Sequence, residues 1–276
     1  MKSVKPVISR KSEGNGLNLV TGDTRFGLGY DILGLILFSL VWTLVTHMVF
    51  SRPDYAHFQD FMPLPTLKAL AAAVKEPHFW ASVAASLRRV LVGISLAALV
   101  GFPLGILVGV FPRLRRLSHS SLQFIRMVSP LSWMPVALLV FTRFESAVYF
   151  LIFMATVCPI VLNTAAGVMT INPQWIKMAL NQGATRFQLI RTIVIPATAP
   201  HMTTSLRLAL GVAWIILVPA EFLGVSSGLG YLINDARDTM AYDRLMAMVI
   251  AIGILGFILD RIFQLFQQAF RWSWHK

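Results

Sequence analysis

The chain has few charged residues and only one cysteine. Charged side chains make up 13% of its 276 residues, whereas 56% are hydrophobic and the mean hydropathy is +0.69. A soluble domain of this length could not bury so much apolar surface, so the composition predicts an integral membrane protein. The single cysteine, Cys158, lies in an apolar segment, which excludes a disulfide framework and a cysteine-based metal site.

Motifs for nucleotide, metal or covalent chemistry are also missing. The sequence has no G-x-x-x-x-G-K-[ST] phosphate loop, and none of its six histidines belongs to a His-x-x-x-His pair. No nucleophile with a neighbouring base can be assigned either. We therefore expect no cofactor, no metal and no catalytic residues in this chain.

Acidic residues are half as numerous as basic ones. The chain has 24 Lys and Arg against 12 Asp and Glu, a formal net charge of +12. On a soluble protein this excess would suggest a nucleic acid, but in a membrane protein the positive-inside rule explains it. We expect no nucleic-acid partner, and we expect the basic, tryptophan-containing end at 271–276 to anchor in membrane lipid.

Apolar segments define the fold class. A helix needs roughly 20 mostly apolar residues to cross a bilayer. Five to six segments qualify: 32–50, 90–111, 122–141, 146–169, 206–223 and 245–266. The third contains Pro130 and Pro135, which we expect to bend it. The sequence predicts an all-α membrane protein built as a bundle of five to six transmembrane helices.

The distribution of Lys and Arg sets the orientation. With the amino terminus in the cytoplasm, most basic residues fall on the inside, although Arg88 and Arg89 are exceptions near the outer interface. We expect a cytoplasmic tail at 1–30, a membrane domain at 31–270 and a cytoplasmic loop at about 171–198. Segment 52–89 predicts an external amphipathic hairpin, with Thr66 capping a first helix that ends near Lys75 and a second helix that starts near Pro77.

Small residues recur every fourth position in the second span. Such a stripe permits close helix approach, which helix packing in lipid requires. The favoured interpretation is packing within the bundle, and the alternative is a moving or subunit interface. The stripe consists of Gly93, Ala97, Gly101, Gly105 and Gly109.

Glu221 is the ionisable residue of most interest, because it falls near the outer end of the fifth span. Charges within spans are costly, so they are usually paired or functional. Two interpretations stay open: Glu221 is a gate or pathway residue, or it is a structural ion pair at the interface.

The loop between the fourth and fifth spans carries the most informative pattern. Residues 177–196 read KMALNQGATRFQLIRTIVIP, with Ala179, then Gly183, then Ile193, Ile195 and Pro196. Gly183 fits a helix C-cap and Thr185 the N-cap of the next helix. The spacing resembles the EAA loop of ABC importer permeases, a cytoplasmic helix–turn–helix that docks on the ATPase subunit. Position 177 departs from that pattern, because it is Lys where the family usually has Glu.

Further stretches extend the resemblance to the nitrate, sulfonate, taurine and bicarbonate branch of these type I permeases. They are LP at 64–65, ASLRRV at 85–90, GFPLG at 101–105, SPLSWMP at 129–135, NTAAGV at 163–168, AEFLG at 220–224 and GLGYLI at 228–233. Together they cover most of 64–265 in order. By this resemblance, the residues that dock on the ATPase are Lys177, Met178, Ala179, Gly183, Ala184 and Thr185.

The resemblance also implies partners and a location. It implies ABC ATPase subunits that bind ATP and Mg²⁺, a second copy of the permease in a homodimer, and a periplasmic or lipid-anchored substrate-binding protein. The location would be the bacterial inner membrane, and the substrate a small solute such as a sulfonate, taurine, nitrate or bicarbonate anion. The alternatives are a secondary transporter or channel without an ATPase, and a membrane-embedded enzyme.

Overall fold

The computed structural model describes residues 24–50, 59–222 and 224–273, and within these ranges the regular structure is entirely helical. Most of the predicted tail at 1–30, the first part of the predicted hairpin at 52–58, Leu223 and the last three residues lie outside the described residues. The chain forms two compact units, Met1–Ala56 and His57–Lys276.

The first unit contributes one described helix, α1 (Thr24–Phe50). Its apolar stretch, Ile36–Phe50, is shorter than those of the other spans. Thr43 and Thr46 lie within this stretch, and their hydroxyls donate to the carbonyl oxygens of Ser39 and Trp42 at 2.7 and 2.8 Å. These bonds satisfy the two hydroxyls within the helix, as an apolar environment requires.

The second unit contains ten further α-helices among its described residues. They are α2 (Pro63–Ala73), α3 (Pro77–Val110), α4 (Pro112–Met127), α5 (Met134–Val140), α6 (Phe144–Met169), α7 (Pro173–Asn181), α8 (Arg186–Leu189), α9 (Ile195–Glu221), α10 (Leu229–Asp238) and α11 (Tyr242–Ser273). A 3-10 turn, Pro130–Trp133, precedes α5, and a π turn, Ile190–Val194, joins α8 to α9.

Proline starts several of these helices, because its fixed φ suits the first helical position, where no amide hydrogen is needed. The predicted hairpin is present as α2 and α3, and α3 continues from Pro77 straight into the second span. The prediction that Thr66 caps α2 is wrong. Met62 is the N-cap, and the Thr66 hydroxyl donates to its carbonyl oxygen at 2.9 Å from inside the helix.

Four described helices are long and apolar enough to cross a membrane: Pro77–Val110, Phe144–Met169, Arg186–Glu221 and Tyr242–Leu265. A fifth crossing is formed if Pro112–Met127 and Pro130–Val140, which meet at 86°, count as one broken span. The third span at 122–141 is therefore wrong in its bounds, because a helix already begins at Pro112, whereas the expected bend is present between Met127 and Pro130. Ser129 is extended (φ −58°, ψ 128°), because the ring of Pro130 disfavours a helical conformation in the residue before it.

The core of the second unit lies where α3, α6 and α9 pack together. Leu151 and Ile152 of α6 are fully buried there, with Val90 from α3 and Leu217 from α9. A second cluster joins α2, α3 and α11 through Phe79 and other residues. Because α6 packs against α3 on one side and α9 on another, positions along α6 give the height of other residues within the bundle.

Candidate functional site: the α7–α8 segment and the buried Arg89 cluster

The α7–α8 segment is a helix–turn–helix whose turn is fixed by hydrogen bonds. Asn172 caps α7 by accepting from the Gln174 amide at 2.9 Å. At the other end Gly183 adopts φ +82°, and the amides of Gly183 and Ala184 donate to the carbonyls of Leu180 and Ala179 at 3.0 Å each. This is the paired bonding of a Schellman C-cap, in which glycine supplies the left-handed residue.

Thr185 starts the next helix with a capping box. Its hydroxyl accepts from the Gln188 amide at 3.3 Å, and its own amide donates to Gln188 Oε1 at 2.8 Å. From there α8, the π turn and α9 run on as one span, Arg186–Glu221, of 36 residues. No loop separates α8 from α9, so α8 is continuous with a helix of the core.

The α7–α8 segment exposes several large apolar side chains. Trp175, Met178 and Phe187 are 55%, 63% and 71% exposed. A groove of about 520 Å³ lies between α7 and the start of α9, and its lining includes Met178, Ala179, Ile193 and Pro196. Exposed apolar surface of this kind is found at protein–protein and protein–membrane contacts.

The residues expected to dock on an ATPase fall into two groups in this structure. Met178 and Ala179 line the groove. The others lie on the outer surface or in the turn: Lys177, Gly183, Ala184 and Thr185. Of these, Ala184 is half-buried and the rest are exposed.

The small-residue stripe of α3 faces α6. A Cβ atom added to Gly93, Gly101 or Gly105 would lie 2.5 to 2.7 Å from side-chain carbons of Ile152, Ile160 or Thr164. Gly109 faces Val168 in the same way, and Ala97 is fully buried in the same stripe. These residues lie in a helix contact inside the chain, not on its outer surface.

Glu221 is buried in a cluster of charged and polar groups, with 1% of its surface exposed. Its Oε1 accepts from Arg89 Nη1 at 2.6 Å and from the Ser86 hydroxyl at 2.7 Å. Its Oε2 accepts from the Gly230 amide at 2.7 Å, so the carboxylate also caps the first turn of α10. The arrangement is that of a structural ion pair.

Arg89 is the centre of this cluster and is fully buried. Besides Glu221 it contacts Glu145 at the start of α6, and it donates to the Ser227 carbonyl oxygen at 2.7 Å and to its hydroxyl at 3.2 Å. The guanidinium thus ties α3, α6, α9 and the turn before α10 together at one end of the bundle. We call Arg89, Glu221, Glu145, Ser86 and Ser227 the Arg89 cluster.

The sequence prediction included Glu221 but missed its partners. Ser86 and Arg89 are three residues apart on α3, so their side chains share one helix face, and this spacing was the available signal. The described residues contain no group of three His, Cys, Asp or Glu side chains that could hold a metal ion.

Comparison with known proteins gives this arrangement a family. Residues 101–272 match the model of the binding-protein-dependent transport system inner membrane component. The chain is 34% identical over 241 residues to the bicarbonate transport system permease protein CmpB of Synechocystis sp., covering 83% of this chain and 84% of that protein. It is 29% identical over 225 residues to the taurine transport system permease protein TauC of Escherichia coli, with 82% of each covered.

A third relative, CmpB of Synechococcus elongatus, is 37% identical over 185 residues, and the chain covers 66% of its length. Among solved structures, a bacterial alginate ABC transporter chain matches with 17% identity and a TM-score of 0.56, covering 89% of this chain and 96% of that one. A chain of the MetNI methionine ABC transporter matches with 18% identity and a TM-score of 0.53, covering 69% and 98%. At such identities these structures show the shared fold.

The chain belongs to the family of binding-protein-dependent transport system inner membrane components. The predicted resemblance to ABC importer permeases of the nitrate, taurine and bicarbonate branch is confirmed.

Proposed function

We propose that this chain is the membrane-spanning permease subunit of an ATP-driven importer for a small anion. The observation that carries the proposal is the direct continuity between the exposed α7–α8 segment and the core helix α9. The segment offers an apolar groove and exposed aromatic side chains to a partner, and α9 transmits the partner's motion into the bundle.

The partner in this proposal is an ABC ATPase at the cytoplasmic face, where ATP and Mg²⁺ bind. Two copies of the chain pair as a homodimer with the pathway between them, and an external binding protein delivers the substrate. The amino terminus then lies in the cytoplasm of a bacterial cell, as the excess of Lys and Arg favours.

The substrate class follows from the relatives' names, which specify bicarbonate, nitrate and taurine. All three substrates carry oxygen-rich anionic groups. Because the chain covers only about two thirds of several of these relatives, the anion is part of the proposal.

The test is reconstitution of the chain with its ATPase and binding protein in proteoliposomes. We expect uptake of at least one of nitrate, bicarbonate or taurine that requires ATP and the binding protein. Uptake that proceeds at the same rate without the ATPase would instead identify a secondary transporter or channel.

A further inference from the structure

One face of α4 carries hydrogen-bond donors without a counter-charge. Arg115, His119, Gln123 and Arg126 follow at intervals of four, four and three residues, so they lie on one side of Pro112–Met127. The helix contains no Asp or Glu, and none of its residues is buried. Among the described residues, no hydrogen bond or ion pair involves these four side chains. We call them the α4 donor face.

Two other arginines within the spans, Arg89 and Arg207, are neutralised by carboxylates. Arg89 faces Glu221 and Glu145, and Arg207 of α9 makes two parallel bonds to Asp260 of α11, at 2.8 and 3.0 Å. Such pairing is expected, because a charge within a membrane needs a partner or water. Arg126 belongs to the broken span, yet no carboxylate pairs with it in the described part of the chain.

The neighbours of α4 indicate that Arg126 lies within the bundle's depth. Gly109, just before α4, packs against Val168 near the Met169 end of α6. Beyond α4, the Trp133 ring contacts the ring of Phe150, with centroids 6.4 Å apart. Phe150 and Met169 are about 28 Å apart along α6, at a rise of about 1.5 Å per residue.

The residues between α4 and Trp133 cannot cover that distance. Residues 128–133 reach about 15 Å, because four of them form a 3-10 turn with a rise of about 2 Å each. The remaining distance of about 13 Å falls to α4 and to the reach of the two aromatic side chains, so α4 carries Arg126 away from the Met169 end.

We infer that the α4 donor face lines the translocation pathway and binds the transported anion, with Arg126 as its deepest contact. The inference rests on the proposed function and adds which residues recognise the substrate. A guanidinium binds planar or tetrahedral oxyanions through two parallel N–H···O bonds, which suits nitrate, bicarbonate and sulfonate groups. Arg115 lies about 16 Å further along the helix axis and offers a second cationic position, with His119 and Gln123 between them.

Cysteine labelling tests the location without requiring transport. In a Cys158→Ala background, which removes the only native thiol, Arg126→Cys is compared with Phe124→Cys. Phe124 is 72% exposed at a similar height on the opposite face of α4. In membranes containing the assembled complex, we expect a charged, membrane-impermeant thiosulfonate to modify Arg126→Cys and not Phe124→Cys. Equal protection of both cysteines would overturn the inference.

Transport measurements test the role in anion recognition. In the reconstituted complex, Arg126→Gln should slow uptake of nitrate, bicarbonate or taurine about tenfold, which corresponds to about 1.4 kcal/mol. Arg126→Lys should recover part of the rate, because it restores the charge without the planar fork. Arg113→Gln makes the same change at an exposed position of α4 outside the donor face and should match the unmodified protein.

The two proposals fail in different ways. If the unmodified complex takes up none of the three anions with ATP, the proposed function is wrong, while the labelling experiment still decides where Arg126 lies. If the unmodified complex transports and assembled Arg126→Gln is as active as Arg113→Gln, the donor face does not recognise the substrate.

Discussion

At the scale of single residues, Arg89 makes five side-chain hydrogen bonds, to Glu145, Glu221 and Ser227. Its guanidinium is fully buried and faces two carboxylates and a backbone carbonyl. Removing the cation leaves the buried Glu221 without a counter-charge, whereas Glu145, whose side chain is 35% exposed, keeps Arg88 at 3.5 Å. An uncompensated buried charge is far more costly than a broken surface pair.

We predict that Arg89→Met destabilises the protein by about 3–5 kcal/mol. Glu221→Gln should cost less, because Arg89 keeps Glu145 and the amide can still form hydrogen bonds. Thermal unfolding of the purified protein in detergent measures both. The control is Arg237→Met, whose ion pair with Asp238 lies outside the four spans, with side chains 61% and 58% exposed, and whose loss should cost about 1 kcal/mol or less. Equal destabilisation by Arg89→Met and Arg237→Met would contradict this account.

Gly183 and Lys177 differ in what they contribute to the α7–α8 segment. A Cβ at Gly183 would meet no atom within 4 Å, so the constraint is its φ of +82° alone. That conformation costs an ordinary L-residue about 1–2 kcal/mol, and more for a β-branched one. Lys177 is exposed, and a surface ion pair is typically worth about 0–1 kcal/mol.

We therefore predict that Gly183→Val uncouples ATP hydrolysis from uptake much more than Lys177→Ala does. Gly183→Asn should be milder, because asparagine tolerates the left-handed region. ATPase activity and uptake, measured side by side in proteoliposomes, report the coupling. A larger loss in Lys177→Ala would show that charge, and not the shape of the turn, governs docking.

At the scale of helices, the close contact between α3 and α6 depends on glycines of α3, which have no side chain. At Gly105 a Cβ would lie 2.6 Å from Thr164 Cβ and 2.8 Å from the Val161 carbonyl oxygen. The Val161 oxygen belongs to the backbone of α6 and cannot rotate away. The two helices would have to separate along the core of the second unit.

We predict that Gly105→Leu prevents assembly or abolishes transport, and that Gly101→Leu does so as well. Gly253→Leu is the matched control, since Gly253 is also helical but has no atom within 4 Å of its added Cβ. Yield of monodisperse protein and uptake rate give the result. Normal behaviour of both stripe variants would show that α3 and α6 do not need this close approach.

Interactions between residues close in sequence could be predicted, whereas those between distant residues could not. The turn at Gly183 and the cap at Thr185 are predictable, because their hydrogen bonds join residues at most five positions apart. The partners of Arg89 lie 56 and 132 residues away, so no local pattern reveals them. Pro130 predicted a bend in the third span, but the size of that bend, 86°, is not set by any local sequence pattern. The prediction that Thr66 is an N-cap was wrong because the helix already starts at Pro63, three residues earlier.

At the scale of the whole molecule, the α7–α8 segment should be reachable by an ATPase from the cytoplasm. We predict that cysteines placed at residues 178–185 crosslink to cysteines in the groove of the ATPase subunit. The buried Cys158 supplies no competing exposed thiol. Labelling of these positions by an impermeant reagent from the external side alone would reverse the orientation and remove the basis for docking.

The residues of the Arg89 cluster are synthesised at different times. Glu145 is synthesised 56 residues after Arg89 and Glu221 132 residues after it. At about 5–20 residues per second, Glu221 is synthesised roughly 7 to 26 seconds after Arg89. Until Glu221 is present, Glu145 is the only one of its two carboxylate partners that Arg89 has, and a charge within a span needs a partner or water. We therefore expect the Arg89 end of α3 to stay hydrated until α9 is made, and this end of the bundle to close late in biogenesis.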